Sequence, residues 1–128
     1  MAESWQLPGT SPQKAFCRVE ALKRVSRGKI AFWQVCGGVT DGLMIFQYEL
    51  FKPGADSGMR QLREEARESG FLISGRIEVT VGEERRIMER GEPYYFSALM
   101  PHWLRVIGSE PDIMVSCTRR RVSDRRGQ

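Results

Sequence analysis

The sequence predicts an all-β sandwich or jelly roll built as a single domain. Two observations carry that expectation: eight or so short runs rich in β-branched and aromatic residues, and turn signals between them about every 8–12 residues. A third is size: 128 residues suit one self-sufficient core, and no repeat or linker divides them.

Residues 1–14 contain Pro8, Gly9, Ser11 and Pro12 with little to bury, and read as a flexible N-terminal arm. The next stretch, CRVEALKRV, fits a short helix or a strand, and both readings stay open. KIAFWQVCGG and GLMIFQYELFKPG end in Gly or Pro-Gly, as strands do. In the second, Met44, Phe46, Tyr48 and Leu50 form a face that is apolar apart from a phenol. The opposite face, Leu43, Ile45, Gln47 and Glu49, turns polar toward its end. MRQLREEARES, residues 59–69, consists of good helix formers, with Met59, Leu62 and Ala66 on one helical stripe. In so short a stretch tertiary context overrides propensity, so strand and helix both remain open for 59–67. GFLIS then leads through Gly75 into RIEVTV, whose Ile77, Val79 and Val81 alternate with Arg76, Glu78 and Thr80 in the manner of a half-buried antiparallel strand. RRIMER, PYYFSA, HWLRVIG and DIMVSCTR complete the set. Gly75 and Gly91 stand where the chain must turn.

Charge excludes one class of partner. The net +4 resides in the end of the chain, where five arginines from Arg119 onward oppose Asp124, so residues 1–118 balance at zero. Residues 119–128 read as a basic flexible tail and 15–118 as the folded domain. No basic body for nucleic acid is present. No apolar run approaches a membrane span, and the first residues lack the pattern of a secretory signal, so the expected location is cytoplasmic. Cys17, Cys36 and Cys117 are odd in number and form no CxxC pair, and are expected to pack as three thiols.

Two segments resemble the signatures of the cupin superfamily. KPGADSGMRQLREEARESGFLISG opens on Pro53-Gly54 and has six residues between Glu68 and Gly75. GEPYYFSALMPHWLRV places His102 after Gly91 at the family's histidine position, with Ser97, Leu99 and Val106 departing from its usual residues. The resemblance implies a double-stranded β-helix, the cupin jelly-roll barrel, with a small-molecule hollow and pairing into a homodimer. Many members hold a divalent metal through a His-x-His pair, a glutamate and a later histidine. Here the His-x-His positions fall on Gln61 and Arg63, on Leu62 and Glu64, or on Arg60 and Leu62, and the chain has a single histidine. Two of four ligands remain at most, Glu68 and His102, so no cofactor is expected and a retained metal would rest on that pair.

The expected ligand-binding residues are therefore His102, Glu68, Arg63, Gln61, Tyr48 and Leu104. Arg63, pointing inward, would stand in for the missing cation and receive a ligand carboxylate or phosphate. The alternative is that Arg60, Arg63 and Arg67 form a solvated face with Glu64, Glu65 and Glu68. Flanked by Leu104 and Val106, His102 is either a packed, hydrogen-bonded residue or a group that exchanges protons with a ligand. Tyr94, Tyr95 and Trp33 either line the hollow or pack in the core. Three functions follow: a metal-divergent barrel that binds a small molecule, a metal-dependent or acid–base enzyme of isomerase, lyase or oxygenase type, and an interaction module whose barrel is filled. No catalytic residue is assigned.

Overall fold

The structure, a computed structural model, describes residues 15–35 and 44–120. The expected N-terminal arm, Cys36 and the tail beyond Arg120 lie outside the described residues. Among these, one 3-10 turn at Val19–Ala21 precedes nine strands: β1 Lys23–Arg27, β2 Ile30–Gln34, β3 Met44–Phe51, β4 Ala66–Ser74, β5 Ile77–Val81, β6 Glu84–Met88, β7 Pro93–Ser97, β8 His102–Val106 and β9 Asp112–Arg120. CRVEALKRV thus divides into a turn and a strand. β9 runs through Arg119 and Arg120, two residues past the boundary expected for the folded domain.

The strands form two sheets, one of six in the order β1-β2-β3-β9-β4-β7 and one of three in the order β6-β5-β8. All pairings are antiparallel. The fold class expected from the strand pattern is the one observed, an all-β barrel of jelly-roll type. Its core lies between the sheets, where Leu72, Ile77 and Met114 are fully buried beside Phe51, Val79 and Val106. β5 follows its sequence pattern, with Ile77 and Val79 buried against this core.

β3 inverts the usual rule. Glu49 and Phe51 are buried and Gln47 is half-buried, while Met44, Phe46 and Tyr48 on the apolar face are exposed. Residues 59–65 are not helical. The amides of Arg60 and Leu62 donate to the carbonyls of His102 and Ala98 at 2.8 and 2.9 Å, so cross-chain partners replace those a helix would supply. Strand β4 begins at Ala66.

Gly75 shows why a residue without Cβ is needed at one turn. Its φ is +96°, and an added Cβ would stand 1.8 Å from Asp112 Oδ1. That oxygen accepts the Arg76 amide at 3.0 Å and fastens the turn to β9. The cysteines correct an expectation: Cys117 is a free, half-buried thiol, but Cys17 is disulfide-bonded. Three thiols were expected because the sequence spacing alone does not show which side chains meet in space.

Candidate functional site

A cavity of about 280 Å³ opens at one end of the space between the sheets. Its floor is built where β3, β9 and β4 turn polar side chains inward. Glu49 lies on β3, Thr118 on β9 and Glu68 on β4, with Ser116 of β9 and Tyr94 of β7 next to them. The register sets Thr118 beside Glu68, and Gly70 between Ser116 and Tyr94. β8 contributes His102 from the opposite sheet. Its backbone exchanges two hydrogen bonds with Arg60, at 2.8 and 2.9 Å, so both side chains line the hollow.

His102 is held on three sides. Its Nδ1 lies 2.8 Å from the Met100 carbonyl, and its ring packs 4.7 Å from that of Phe96, which stacks on Tyr94. A carbonyl can only accept, so Nδ1 carries the hydrogen, and in the neutral imidazole Nε2 is left as an acceptor. Nε2 stands 4.0 Å from Glu68 Oε1. Glu68 Oε2 accepts the Tyr94 hydroxyl at 2.6 Å. Burial, followed by the charge of Glu68, pushes the Tyr94 phenol well above its ordinary value of 10.0. Tyr94 therefore stays a donor to that carboxylate.

Glu49 is only 6% exposed. Burial, then the nearby Glu68, pushes its carboxyl up to about 8, against the opposing effects of Ser116, Gln47 and Arg60. Its Oε2 accepts a bond of 3.3 Å from Gln47, which in turn accepts one of 3.4 Å from Gln34. Its Oε1 is buried without a partner. At neutral pH Glu49 is thus mainly a protonated acid, while the Glu68 carboxyl is held by Tyr94. Two carboxyl groups in one hollow are assigned different roles by their surroundings.

Of the expected site residues, the structure brings Glu68, His102 and Leu104 together at the cavity. Arg63 and Gln61 are exposed; Arg63 lines an adjoining shallow hollow with Glu64, Glu65 and Arg120, and Gln61 donates to the Leu99 carbonyl at 2.7 Å. The inward arginine is Arg60, because only that residue pairs with His102 through the backbone. Tyr48 is on the outer face of β3, edge-on to Trp33 at 5.9 Å, and Tyr95 is 67% exposed. Glu49, Gln47 and Thr118 were missed as site residues. The signal for the first two was present in the polar end of one face of β3, which reads as solvent-facing unless that face is known to point inward.

The family resembled in sequence implies a divalent metal. The donors here do not fit one: Glu49, Glu68 and His102 share the hollow, but among the described residues no three His, Cys, Asp or Glu side chains are arranged to hold an ion, and the Arg60 guanidinium lines the same space.

Comparison with known proteins places the fold. No curated protein matches the sequence. The cupin domain of an XRE family transcriptional regulator from Enterobacter cloacae superposes with a TM-score of 0.66 at 20% identity, over 73% of this chain and 99% of that one. An RmlC-like cupin from Shewanella frigidimarina gives 0.70 at 12% identity, over 88% and 96%. A cupin superfamily sugar phosphate isomerase from Silicibacter pomeroyi gives 0.65 at 16% identity, over 81% and 74%. At these identities the likeness concerns fold alone. The family model for the cupin domain matches residues 47–117, from the polar end of β3 into β9 and across both segments that carry the sequence resemblance. The chain belongs to the cupin family.

Proposed function

We propose that this cupin binds a small molecule in the hollow between its sheets, without a metal ion. The observation that carries the reading is the partnerless Oε1 of Glu49, buried at the cavity. An unsatisfied buried polar atom costs about 1–3 kcal/mol, and a hydroxyl or carbonyl group of a ligand would satisfy it. Around it the hollow offers an imidazole, a second carboxyl and the Thr118 hydroxyl, the few convergent polar groups that orient a ligand in a partly apolar site. Among solved cupins of the same fold are a domain of a transcriptional regulator and a sugar phosphate isomerase, so the fold itself does not choose between the roles and the site must.

The second reading is an acid–base enzyme. It is favoured by the protonated Glu49 standing in the same hollow as Glu68 and the His102 acceptor nitrogen. A thermal-shift screen with small acids, sugars and amines tests the first reading, since a ligand well above its dissociation constant raises Tm. Failure of every compound would favour a filled interaction module. Metal analysis of protein purified without chelator should find no stoichiometric ion; one equivalent of iron, manganese, nickel or zinc would move the reading to a metalloenzyme.

A homodimer belongs to the same proposal. The outer face of the six-stranded sheet exposes Phe46, Tyr48, Phe71, Ile73 and Tyr95, and the register sets Tyr48, Val115 and Phe71 side by side across β3, β9 and β4. Contiguous apolar surface of this kind gains from being covered by a second copy. Sedimentation should show a dimer that Phe71→Glu converts to monomer; a monomeric parent protein would remove this part. A flexible arm at residues 1–14 and a cytoplasmic location belong to the same proposal. No helix among the described residues is long and apolar enough to cross a membrane.

A further inference from the structure

We propose that the molecule bound in the hollow carries an oxyanion, a carboxylate or a phosphate, which docks on Arg27, Arg60 and Arg120 while its hydroxyl-bearing end reaches Glu49, Glu68 and His102. The inference rests on the small-molecule reading and adds the class of ligand.

Three arginines from three separate parts of the chain line one cavity: Arg27 ends β1, Arg60 lies between β3 and β4, and Arg120 ends β9. None has an ion-pair partner among the described residues. Elsewhere on the surface Arg67, Arg76, Arg86 and Arg105 each sit 2.9–3.0 Å from a carboxylate, while Arg24, Arg63 and Arg90 are without an ion pair as well, so it is the shared concavity that sets the three apart. The arginines of the hollow are left unpaired although two carboxyl groups, Glu49 and Glu68, line the same space. Glu68 is occupied by Tyr94, and Glu49 is held neutral by its burial. At neutral pH the fixed charge facing the hollow is therefore positive. All three guanidinium groups are on exposed residues, so they mark the mouth and the buried carboxyls mark the floor. A solvated arginine face would explain exposure, but it does not explain why the three surround a polar concavity. Planar guanidinium groups suit carboxylate and phosphate oxygens, with which they form paired charge-assisted bonds. The floor, with a protonated acid, a carboxylate and an imidazole, suits hydroxyl groups that both donate and accept.

The test compares three probes that share one carbon chain: glucitol, gluconate and glucitol 6-phosphate, titrated calorimetrically into the full-length protein. Gluconate or glucitol 6-phosphate should bind about tenfold or more tightly than glucitol, and the better of the two identifies the oxyanion. Arg60→Gln and Arg120→Gln should each remove most of that advantage, and raised salt should reduce it. Arg76→Gln, outside the hollow and paired with Glu89, should leave it intact. Glucitol binding as well as both anions would overturn the ligand class and leave the small-molecule reading standing. Anion binding that survives both arginine replacements would also overturn it. Failure of all three probes would overturn the inference together with the reading beneath it.

Discussion

The closed end and the open end of the barrel are made from the same strands and differ in what those strands turn inward. β3 presents Phe51 at the boundary of core and cavity and Glu49 and Gln47 to the open end; β4 presents Leu72 and then Glu68; β9 presents Met114 and then Thr118. The three-stranded sheet is apolar inside at Ile77, Val79 and Val106, and gives the open end His102. The hollow is therefore a graded continuation of the core, in which a few positions along shared strands exchange packing for polar groups. Stability is concentrated at one end and chemistry at the other.

The largest effect expected from this division is at the closed end. Leu72 is fully buried and belongs to the core cluster with Ile77 and Met114. Leu72→Ala should cost about 2–5 kcal/mol by urea denaturation, through lost burial and the void left behind. A loss below about 1 kcal/mol would mean that the core collapses onto the gap, and that the two ends are not mechanically distinct.

At the open end the expected sign is reversed. Glu49 has an ordinary value of 4.5 and is raised to about 8 in the folded chain. Between those limits the folded state holds a proton that the unfolded state releases, so stability falls as pH rises from 4.5 to about 8. At about 1.4 kcal/mol per unit, the decline amounts to several kcal/mol. The groups facing Glu49 are Glu68, Ser116, Gln47 and Arg60; Glu68 adds to the shift and the other three oppose it. Glu49→Gln imitates the protonated acid, and should flatten the fall in Tm between pH 5 and pH 8. A variant whose Tm falls in parallel with the parent's would assign the titration to another group.

The two ends were not equally legible in the sequence. The closed end follows from alternation: Ile77, Val79 and Val81 announce a strand with one buried face, and β5 has it. Glu68 and His102 were legible through the resemblance of KPGADSGMRQLREEARESGFLISG and GEPYYFSALMPHWLRV to the cupin signatures. The inward arginine was not, since Arg60 and Arg63 differ only by register, and a backbone pairing with His102, 42 positions away, selects the first. Glu49 was hidden for a different reason. Alternation marks two faces of β3 but not which one points inward, and the apolar face is the outer one. Residues 59–65 followed long-range partners and not helix propensity, because the hydrogen bonds offered by β8 and the Ala98 turn are already in place.

A smaller perturbation tests how the open end is kept in order. Gly70 lies on β4 between Ser116 and Tyr94, and a Cβ there would stand 2.8–2.9 Å from the Tyr94 ring and hydroxyl. The missing side chain is the space that the ring occupies, and the ring in that position donates to Glu68. Gly70→Ala should cost about 1–3 kcal/mol by forcing the ring aside, and should weaken ligand binding by freeing Glu68. In a Tyr94→Ala background the clash is gone, so the same replacement should cost little, and the double-mutant cycle should show strong coupling. If Gly70→Ala costs as much without the ring, the glycine serves the strand backbone alone. The open end would then be ordered by Phe96 and His102 without help from β4.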